Sequence, residues 1–306
     1  MSSLGQRPAA GTGPARRSGF IALAGRPNVG KSTLTNALVG SKVAIVSGTP
    51  QTTRRAVRAV VGGDDWQLVL VDLPGVQRPR DALTERMQRR VESELSEADG
   101  CLMVVNGEQG VGPGDRFIAG LLAGARVPVV IAVNKIDRID RARTVAALRA
   151  ADELGIAESI FPISARSGSG VEALLDHLVS LLPDGVFHFD AQQRSDQPES
   201  MLLGELVREQ ILIRTREEVP HAVEVEIEAV HEHAGRFRVD AQILEETESQ
   251  KGILIGAGGR MIKAIGVGSR RAIERELGGH VHLVLQVRVR RHWRTDERVL
   301  DRLGIE

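Results

Sequence analysis

Residues 25–33, GRPNVGKST, have the spacing of a phosphate-binding loop, with two glycines followed by Lys31 and Ser32. Glycines let such a loop wrap around phosphate so that backbone N–H groups point at its oxygens, while the lysine neutralises charge and the serine hydroxyl binds Mg²⁺. A strand-like apolar run precedes the loop and a helical pattern follows it, which is the context this chemistry needs. The residues assigned to phosphate binding are Gly25, Asn28, Val29, Gly30, Lys31, Ser32 and Thr33.

Four other short segments occur along the chain: QTTR at 51–54, DLPG at 72–75, NKID at 134–137 and ISA at 163–165. Each lies at the carboxyl end of a predicted strand or in an adjacent loop, where open α/β sheets bind ligands. Asp72 can hold Mg²⁺ through a water molecule, and the Gly75 N–H can reach a γ-phosphate because no side chain obstructs it. The Asp137 carboxylate can accept hydrogen bonds from guanine N1–H and N2–H₂, donors that adenine lacks on that edge. The segments therefore predict a guanine-nucleotide site.

Together these segments resemble the Era family of bacterial GTPases. The resemblance implies that Asn134 orients its loop near guanine N7, that Lys135 lays its stem over the base and that the Ala165 N–H contacts O6. It also implies that a threonine touches Mg²⁺ and the γ-phosphate; Thr53 is the first choice, and Thr52 remains open. The predicted set comprises catalytic Lys31, Thr53 and Gly75, metal ligands Ser32, Thr53 and Asp72, and further nucleotide contacts Leu73, Pro74, Asn134, Lys135, Asp137, Ser164 and Ala165.

The residue after the DLPG segment is Val76, where Ras-like enzymes place the glutamine that orients the attacking water. A valine side chain can neither donate nor accept a hydrogen bond. We therefore expect slow intrinsic GTP hydrolysis that RNA or ribosomal particles accelerate.

The pattern of elements predicts an α/β fold in two parts. Short apolar runs alternate with helical segments through residues 18–184, which predicts a P-loop GTPase domain with a mainly parallel six-stranded sheet flanked by helices. Residues 1–17 form a predicted flexible arm, and residues 185–200, rich in Pro, Gln, Ser and Asp, a predicted linker.

Residues 201–295 have the order helix, strand, strand, helical turn, helix, strand, and they contain a G-x-x-G run from Gly256 to Gly259. This region resembles a KH type II domain, an α+β module in which the glycine turn approaches an RNA backbone. A basic residue often stands between the two glycines of such loops, but Ala257 and Gly258 stand there here. The RNA contacts assigned are therefore Gly256, Gly259, Arg260, Lys263, Arg290 and Arg291, and residues 296–306 form a C-terminal tail.

The 306-residue chain is neutral, with 40 basic and 40 acidic residues, which taken globally argues against binding nucleic acid. That neutrality is a cancellation, because residues 217–250 carry a net charge of −8 and residues 251–294 a net charge of +8. The glycine turn opens the basic part, where phosphate is expected to bind. The single cysteine excludes an intramolecular disulfide, and with no apolar signal segment in view we expect a cytoplasmic protein and a monomer.

The function expected from the residues and the resemblance is a GTPase that binds 16S ribosomal RNA near its 3′ end and assists assembly of the 30S subunit. A membrane-surface signalling GTPase is the alternative, since the basic region could also bind anionic lipid on the cytoplasmic face of the cell membrane. A tRNA-modifying enzyme ranks last, because no additional nucleophilic cysteine or cofactor motif follows the linker.

Overall fold

The computed structural model describes residues 16–49, 52–75, 82–124, 127–216 and 219–305. The first of its two sheets has the strand order β2-β3-β1-β4-β5-β6, and β2 alone runs antiparallel to its neighbour. This arrangement confirms the predicted six-stranded, mainly parallel sheet. Its strands are β1 Arg17–Ala24, β2 Val57–Gly62, β3 Trp66–Asp72, β4 Gly100–Asn106, β5 Val129–Asn134 and β6 Ser159–Pro162.

Helices cover both faces of this sheet. They are α1 Lys31–Val39, α2 Ala82–Glu97, α3 Pro113–Leu122, α4 Arg141–Asp152 and α5 Val171–Ser180. Strand β1 shows why both faces are apolar, since Ile21 and Leu23 pack with α1 and α5 whereas Ala22 and Ala24 pack with α2, α3 and α4. A strand buried on both faces reads as a continuous apolar run, and the loops at its carboxyl end are left to carry the polar chemistry.

The segment after α5 lies along the antiparallel edge of the first sheet. The Gln67 side chain donates to the Phe189 carbonyl at 2.8 Å and accepts the N–H groups of His188 and Phe189, while Ser195 forms a bridge with Ala59 on edge strand β2. Much of the predicted linker is therefore hydrogen-bonded to the sheet that it leaves, which covers part of an exposed edge.

The second sheet has the order β7-β8-β9, with β7 and β8 antiparallel and β8 and β9 parallel. Helices α6 and α9 pack against each other and against this sheet. The order of helices and strands confirms the one predicted for residues 201–295. The elements are α6 Glu199–Arg214, α7 Val219–Ala222, β7 Glu224–His233, β8 Arg236–Glu245, α8 Glu248–Ile255, α9 Arg260–Leu277, β9 His280–Val289 and α10 Glu297–Arg302.

Helix α10 lies within the residues predicted as a tail, and it packs on the first part of the chain. Val299, Leu300 and Leu303 form an apolar cluster with Leu83 and Met87 of α2. Across the described ranges, none of the helices combines the length and the apolar character needed to cross a membrane.

Candidate functional site

A cavity of about 630 Å³ opens at the carboxyl edge of the first sheet. Its volume falls within the range of small-molecule sites. The predicted residues that line it are Asn28, Gly30, Lys31, Ser32, Thr33, Thr52, Thr53, Gly75, Asn134, Lys135, Asp137 and Ala165. The remaining predicted nucleotide residues, Gly25, Val29, Asp72, Leu73, Pro74 and Ser164, are buried. The structure thus brings described residues of all five motif segments to one place, while Gln51 and Val76 lie outside the described residues.

The loop between β1 and α1 has the backbone of an anion cradle. Asn28 and Gly30 have φ angles of 64° and 105°, and Gly30 is the N-cap residue that precedes α1. A Cβ atom at Gly30 would lie 2.4 Å from Asn134 Nδ2, so only glycine fits there. The N–H groups at the start of α1 have no intrahelical partners, and they open toward the cavity with the positive end of the helix dipole.

Lys31 is buried at the base of this loop, and its ammonium group donates to the Gly25 carbonyl at 2.9 Å. Burial lowers the pKa of Lys31 to about 8, although the nearby Asp72 carboxylate partly opposes that shift. An anion entering the cavity would favour the charged lysine, because an opposite charge stabilises the ammonium form.

Asp72, at the end of β3, is fully buried, and neither carboxylate oxygen makes a hydrogen bond of good geometry to the part of the chain that the structure describes. Burial raises the pKa of Asp72. The charge of Lys31 and the neighbouring Ser32 hydroxyl act in the opposite direction and only partly offset that rise. A buried carboxylate without a partner is costly, so these oxygens are suited to a cation and its water shell.

Two hydroxyl groups complete an oxygen-rich cluster beside Asp72. Ser32 Oγ and Thr53 Oγ1 lie 3.0 Å apart. Thr52 is turned elsewhere, since its hydroxyl lies 2.7 Å from Ser47 Oγ and donates to the Thr49 carbonyl. Carboxylate, hydroxyl and water oxygens are the ligands that Mg²⁺ prefers, so the donor set fits this ion.

The opposite end of the cavity is organised around Asn134. Its amide donates to the Val29 carbonyl at 2.9 Å, and its Oδ1 accepts the N–H groups of Lys135 and Ala165. One side chain thereby joins three loops that are distant in sequence. The Ala165 N–H, expected at guanine O6, is engaged with Asn134 in this structure.

Lys135 and Asp137 flank the opening of the cavity. Lys135 Nζ donates to the Asn28 carbonyl at 2.6 Å, and its φ of 67° turns the chain sharply after β5. Burial lowers the pKa of Lys135. Asp137 is exposed, and its carboxylate accepts a hydrogen bond from the Ser164 hydroxyl at 2.7 Å, which leaves the other carboxylate positions open to a ligand.

The glycine turn of the second sheet lies between α8 and α9. Gly256 has a φ of 69°, and a Cβ atom there would lie 2.8 Å from Met261 Cβ, so the turn requires glycine at this position. Arg260 and Lys263 are exposed on the first turn of α9. Arg291 is exposed as well, whereas Arg290 is half-buried and paired with Asp296 at 3.0 Å.

Sequence patterns alone gave no sign of the contact between residues 52–55 and residues 205–224 of the C-terminal domain. Arg54 is buried and donates to the Glu224 carboxylate at 3.0 Å and to the carbonyls of residues 220, 221 and 223. Arg55 pairs with Glu205 at 3.0 Å, and Arg208 donates to the Thr52 carbonyl. Their partners lie about 150 to 170 positions away, beyond any local pattern.

Comparison with known families agrees with this geometry. A family model described as a 50S ribosome-binding GTPase matches residues 20–135, and a KH domain model matches residues 218–294. GTPase Era from Lactobacillus helveticus is 43% identical over 95% of this chain and 96% of its own length. GTPase Era from Mycobacterium tuberculosis is 43% identical over 94% of this chain and 98% of its own length.

Two solved structures share the whole architecture. One is Era in complex with MgGDPNP and nucleotides 1506–1542 of 16S ribosomal RNA, with a TM-score of 0.90, 33% identity and coverage of 95% of this chain and 99% of that one. The other is an Aquifex aeolicus Era variant bound to GDP and aluminium fluoride, with a TM-score of 0.90, 32% identity and coverage of 94% and 99%.

The fold and the site define a P-loop GTPase joined to a C-terminal KH domain. At 40–43% identity over nearly the full length of several curated relatives, the chain belongs to the GTPase Era family.

Proposed function

We propose that this chain binds GTP with Mg²⁺ in the cavity at the carboxyl edge of the first sheet, hydrolyses it slowly and binds the 3′ region of 16S ribosomal RNA through its KH domain. In this role it assists assembly of the 30S subunit from a cytoplasmic location. The observation that carries the proposal is the convergence of Lys31, Ser32 and Asn134 on one cavity, with the Asp72 carboxylate buried beside Ser32, in a chain that also holds the exposed glycine turn.

At the phosphate end, Lys31 neutralises the β- and γ-phosphates and the N–H groups of the loop from Gly25 to Thr33 hold their oxygens. Ser32 and Thr53 would hold Mg²⁺ with their hydroxyl groups, and Asp72 would hold it through water. The 3.0 Å approach of the two hydroxyls and the bonded state of Thr52 favour Thr53 over Thr52. The metal supplies charge neutralisation at the phosphates.

At the base end, Asp137 accepts the guanine N1–H and N2–H₂ groups while Ser164 holds its carboxylate in place. Lys135 covers the base with its stem, and Asn134 keeps the surrounding loops in register. Contact between the Ala165 N–H and guanine O6 requires that Ala165 share or release its bond to Asn134.

Gly75, three residues after β3 ends, provides the N–H that detects the γ-phosphate. The side chain of Val76, which follows, offers no hydrogen bond to the attacking water. Turnover is therefore slow until RNA or a ribosomal particle helps to position that water. Single-turnover GTP hydrolysis with and without the 16S fragment tests this step. Fast hydrolysis that ignores RNA would contradict it.

RNA binding is tested by titrating the full chain with an RNA that spans nucleotides 1506–1542 of 16S ribosomal RNA, the segment bound by the related Era structure. Lys263→Ala should weaken binding and make the dependence on salt shallower by about one counterion. Arg271→Ala is the matched control, because Arg271 is exposed on the same helix about 12 Å farther along. Equal effects of the two substitutions would argue against a phosphate contact at the glycine turn.

A second titration compares the GTP-bound and GDP-bound forms. If the γ-phosphate orders residues that contact the KH domain, RNA affinity is higher with GTP than with GDP by the same factor by which RNA raises GTP affinity relative to GDP affinity. Equal RNA affinity in both states would discard this coupling and leave two independent binding domains. Liposome binding that persists after nuclease treatment and ignores competing RNA would instead support a membrane-surface GTPase.

A further inference from the structure

One face of α6 lies against the residues that follow α1. Glu205, Glu209 and Ile213 are spaced four residues apart, so they follow one another along the same side of the helix. Glu205 pairs with Arg55 at 3.0 Å. One turn later, Glu209 contacts the chain around Val46. The first helix of the KH domain therefore lies against residues of the GTPase domain at the border of the cavity.

Glu209 holds the backbone of this bordering segment. Its carboxylate is buried, accepts the Val46 N–H at 3.0 Å and pairs with Lys42 at 2.5 Å. The neighbouring Ile45 is buried in the apolar core of the KH domain. Residues 45 and 46 are therefore anchored by the C-terminal domain although they belong to the GTPase domain.

Ile213 reaches the cavity itself. It lines the same space as Ile45 and Val46, and it is one of the large apolar side chains that remain exposed, at 59% of its surface. Val46 is also exposed, at 39%, whereas Ile45 is buried, so Ile213 and Val46 give the cavity an apolar wall. A ligand that covers an exposed isoleucine at a cavity wall removes apolar surface from water, which stabilises the bound state.

We propose that Ile213, contributed by the KH domain, forms part of the wall of the nucleotide site and slows nucleotide release, and that Glu209 is the positioning residue that holds this wall through Val46. The inference rests on the proposed function, since it requires that the cavity bind a guanine nucleotide. It deepens that function by making the RNA-binding domain a part of the nucleotide site. Displacement of α6 would then open the site directly.

Dissociation of a fluorescent GDP analogue from the full chain, chased with excess GDP in the presence of Mg²⁺, measures this role. Ile213→Ala should release the analogue roughly threefold to tenfold faster, because up to three carbon atoms of apolar contact are removed from a partly exposed side chain. Ile213→Val should restore most of the wild-type rate. Ile253→Ala is the matched control, because Ile253 is a similarly exposed isoleucine, at 50%, on α8 and outside the cavity lining.

The role of Glu209 is separated from general stability by a conservative pair of variants. Glu209→Ala should also speed release, whereas Glu209→Gln retains an oxygen that accepts the Val46 N–H and should release the analogue close to the wild-type rate.

Release from Ile213→Ala at the wild-type rate would overturn the inference while the proposed function stands. Equal acceleration in Ile253→Ala would also overturn it, since the effect would then follow from any loss of exposed isoleucine. Failure of the wild-type chain to bind the GDP analogue at all would refute the proposed function and the inference together.

Discussion

The buried charge cluster between the two domains offers a sharp test of what holds them together. Arg54, Arg55 and Arg208 surround the carboxylate of Glu224. Burial by itself raises the pKa of Glu224, but the charges of Arg55, Arg54 and Arg208 outweigh it and lower that pKa to about 2. Replacing Glu224 by Gln keeps the shape of the side chain and removes the charge that these guanidinium groups share.

Glu224→Gln should reduce the free energy of unfolding by about 3–5 kcal/mol, the usual cost of removing one partner from a buried ion pair. The pKa supports the lower end of this range. A fall from 4.5 to about 2 corresponds to roughly 3 kcal/mol, at about 1.4 kcal/mol for each pKa unit. Glu226→Gln on the same strand is the control, because Glu226 pairs with the half-exposed Arg302 and should cost no more than about 1 kcal/mol.

Urea unfolding followed by tryptophan fluorescence measures this loss. The chain has two tryptophans, and Trp293 is buried with the Arg54 guanidinium 5.7 Å from its ring centroid, so a Trp66→Phe background isolates the reporter at the interface. Equal destabilisation by Glu224→Gln and Glu226→Gln would refute the reasoning.

The pH dependence provides a second readout with a defined sign. Because the pKa of Glu224 is lower in the folded chain than in the unfolded chain, its contribution is complete above about pH 4.5 and is lost as the pH falls toward 2. The Gln variant should therefore lose less stability than the wild type across this acid range. Parallel acid profiles for the two proteins would count against the proposed role of the carboxylate.

Three other substitutions test the nucleotide site and the core. Asp72→Asn should weaken Mg²⁺-dependent GTP binding roughly 10- to 100-fold, which a titration with and without EDTA measures. The same substitution should raise the melting temperature of the ligand-free protein, because it removes a buried charge that has no hydrogen-bond partner. Asp137→Asn should lose its preference for guanine and gain affinity for xanthine nucleotides, since an amide N–H₂ can donate to the xanthine O2; competition binding measures the ratio. Burial raises the pKa of Glu245 to about 8, so the wild type loses stability as the pH rises from about 4.5 to 8. Glu245→Gln should therefore stabilise the protein more at pH 9 than at pH 5 in urea unfolding. A stability difference that does not depend on pH would contradict this.

Local sequence patterns were enough to predict the first sheet and the meeting of the motif segments at one edge of it. Residues such as Gly30 and Asp72 lie where an apolar strand ends, and the carboxyl ends of parallel strands meet at one edge. The glycine turn at Gly256 was predictable for a similar reason, because its close approach to Met261 requires glycine whatever the rest of the fold does. In each case the constraint acts between residues that are near in sequence or in neighbouring strands.

The contacts between the domains were not predictable, because they depend on how two folded units meet. From the sequence, Arg54 is the basic residue that ends the QTTR segment, and Ile213 is one apolar position among several on a predicted helix. Only the packing of the two domains places Arg54 beside Glu224 and Ile213 at the cavity. The packing of α10 on α2 was missed for the same reason.

Adjacent residues belong to different sites in this protein, and this adjacency constrains how nucleotide and RNA can be coupled. The Thr53 hydroxyl lies 3.0 Å from the Ser32 hydroxyl in the oxygen-rich cluster beside Asp72. The next residue, Arg54, is buried and donates to backbone carbonyls and to the Glu224 carboxylate of the KH domain. Consecutive Cα atoms are about 3.8 Å apart, so Thr53 cannot shift by more than a few ångströms unless Arg54 moves with it or breaks its contacts. If Mg²⁺ orders Thr53, as we propose, that ordering and the docking of the KH domain are linked, and each must change the free energy of the other by the same amount.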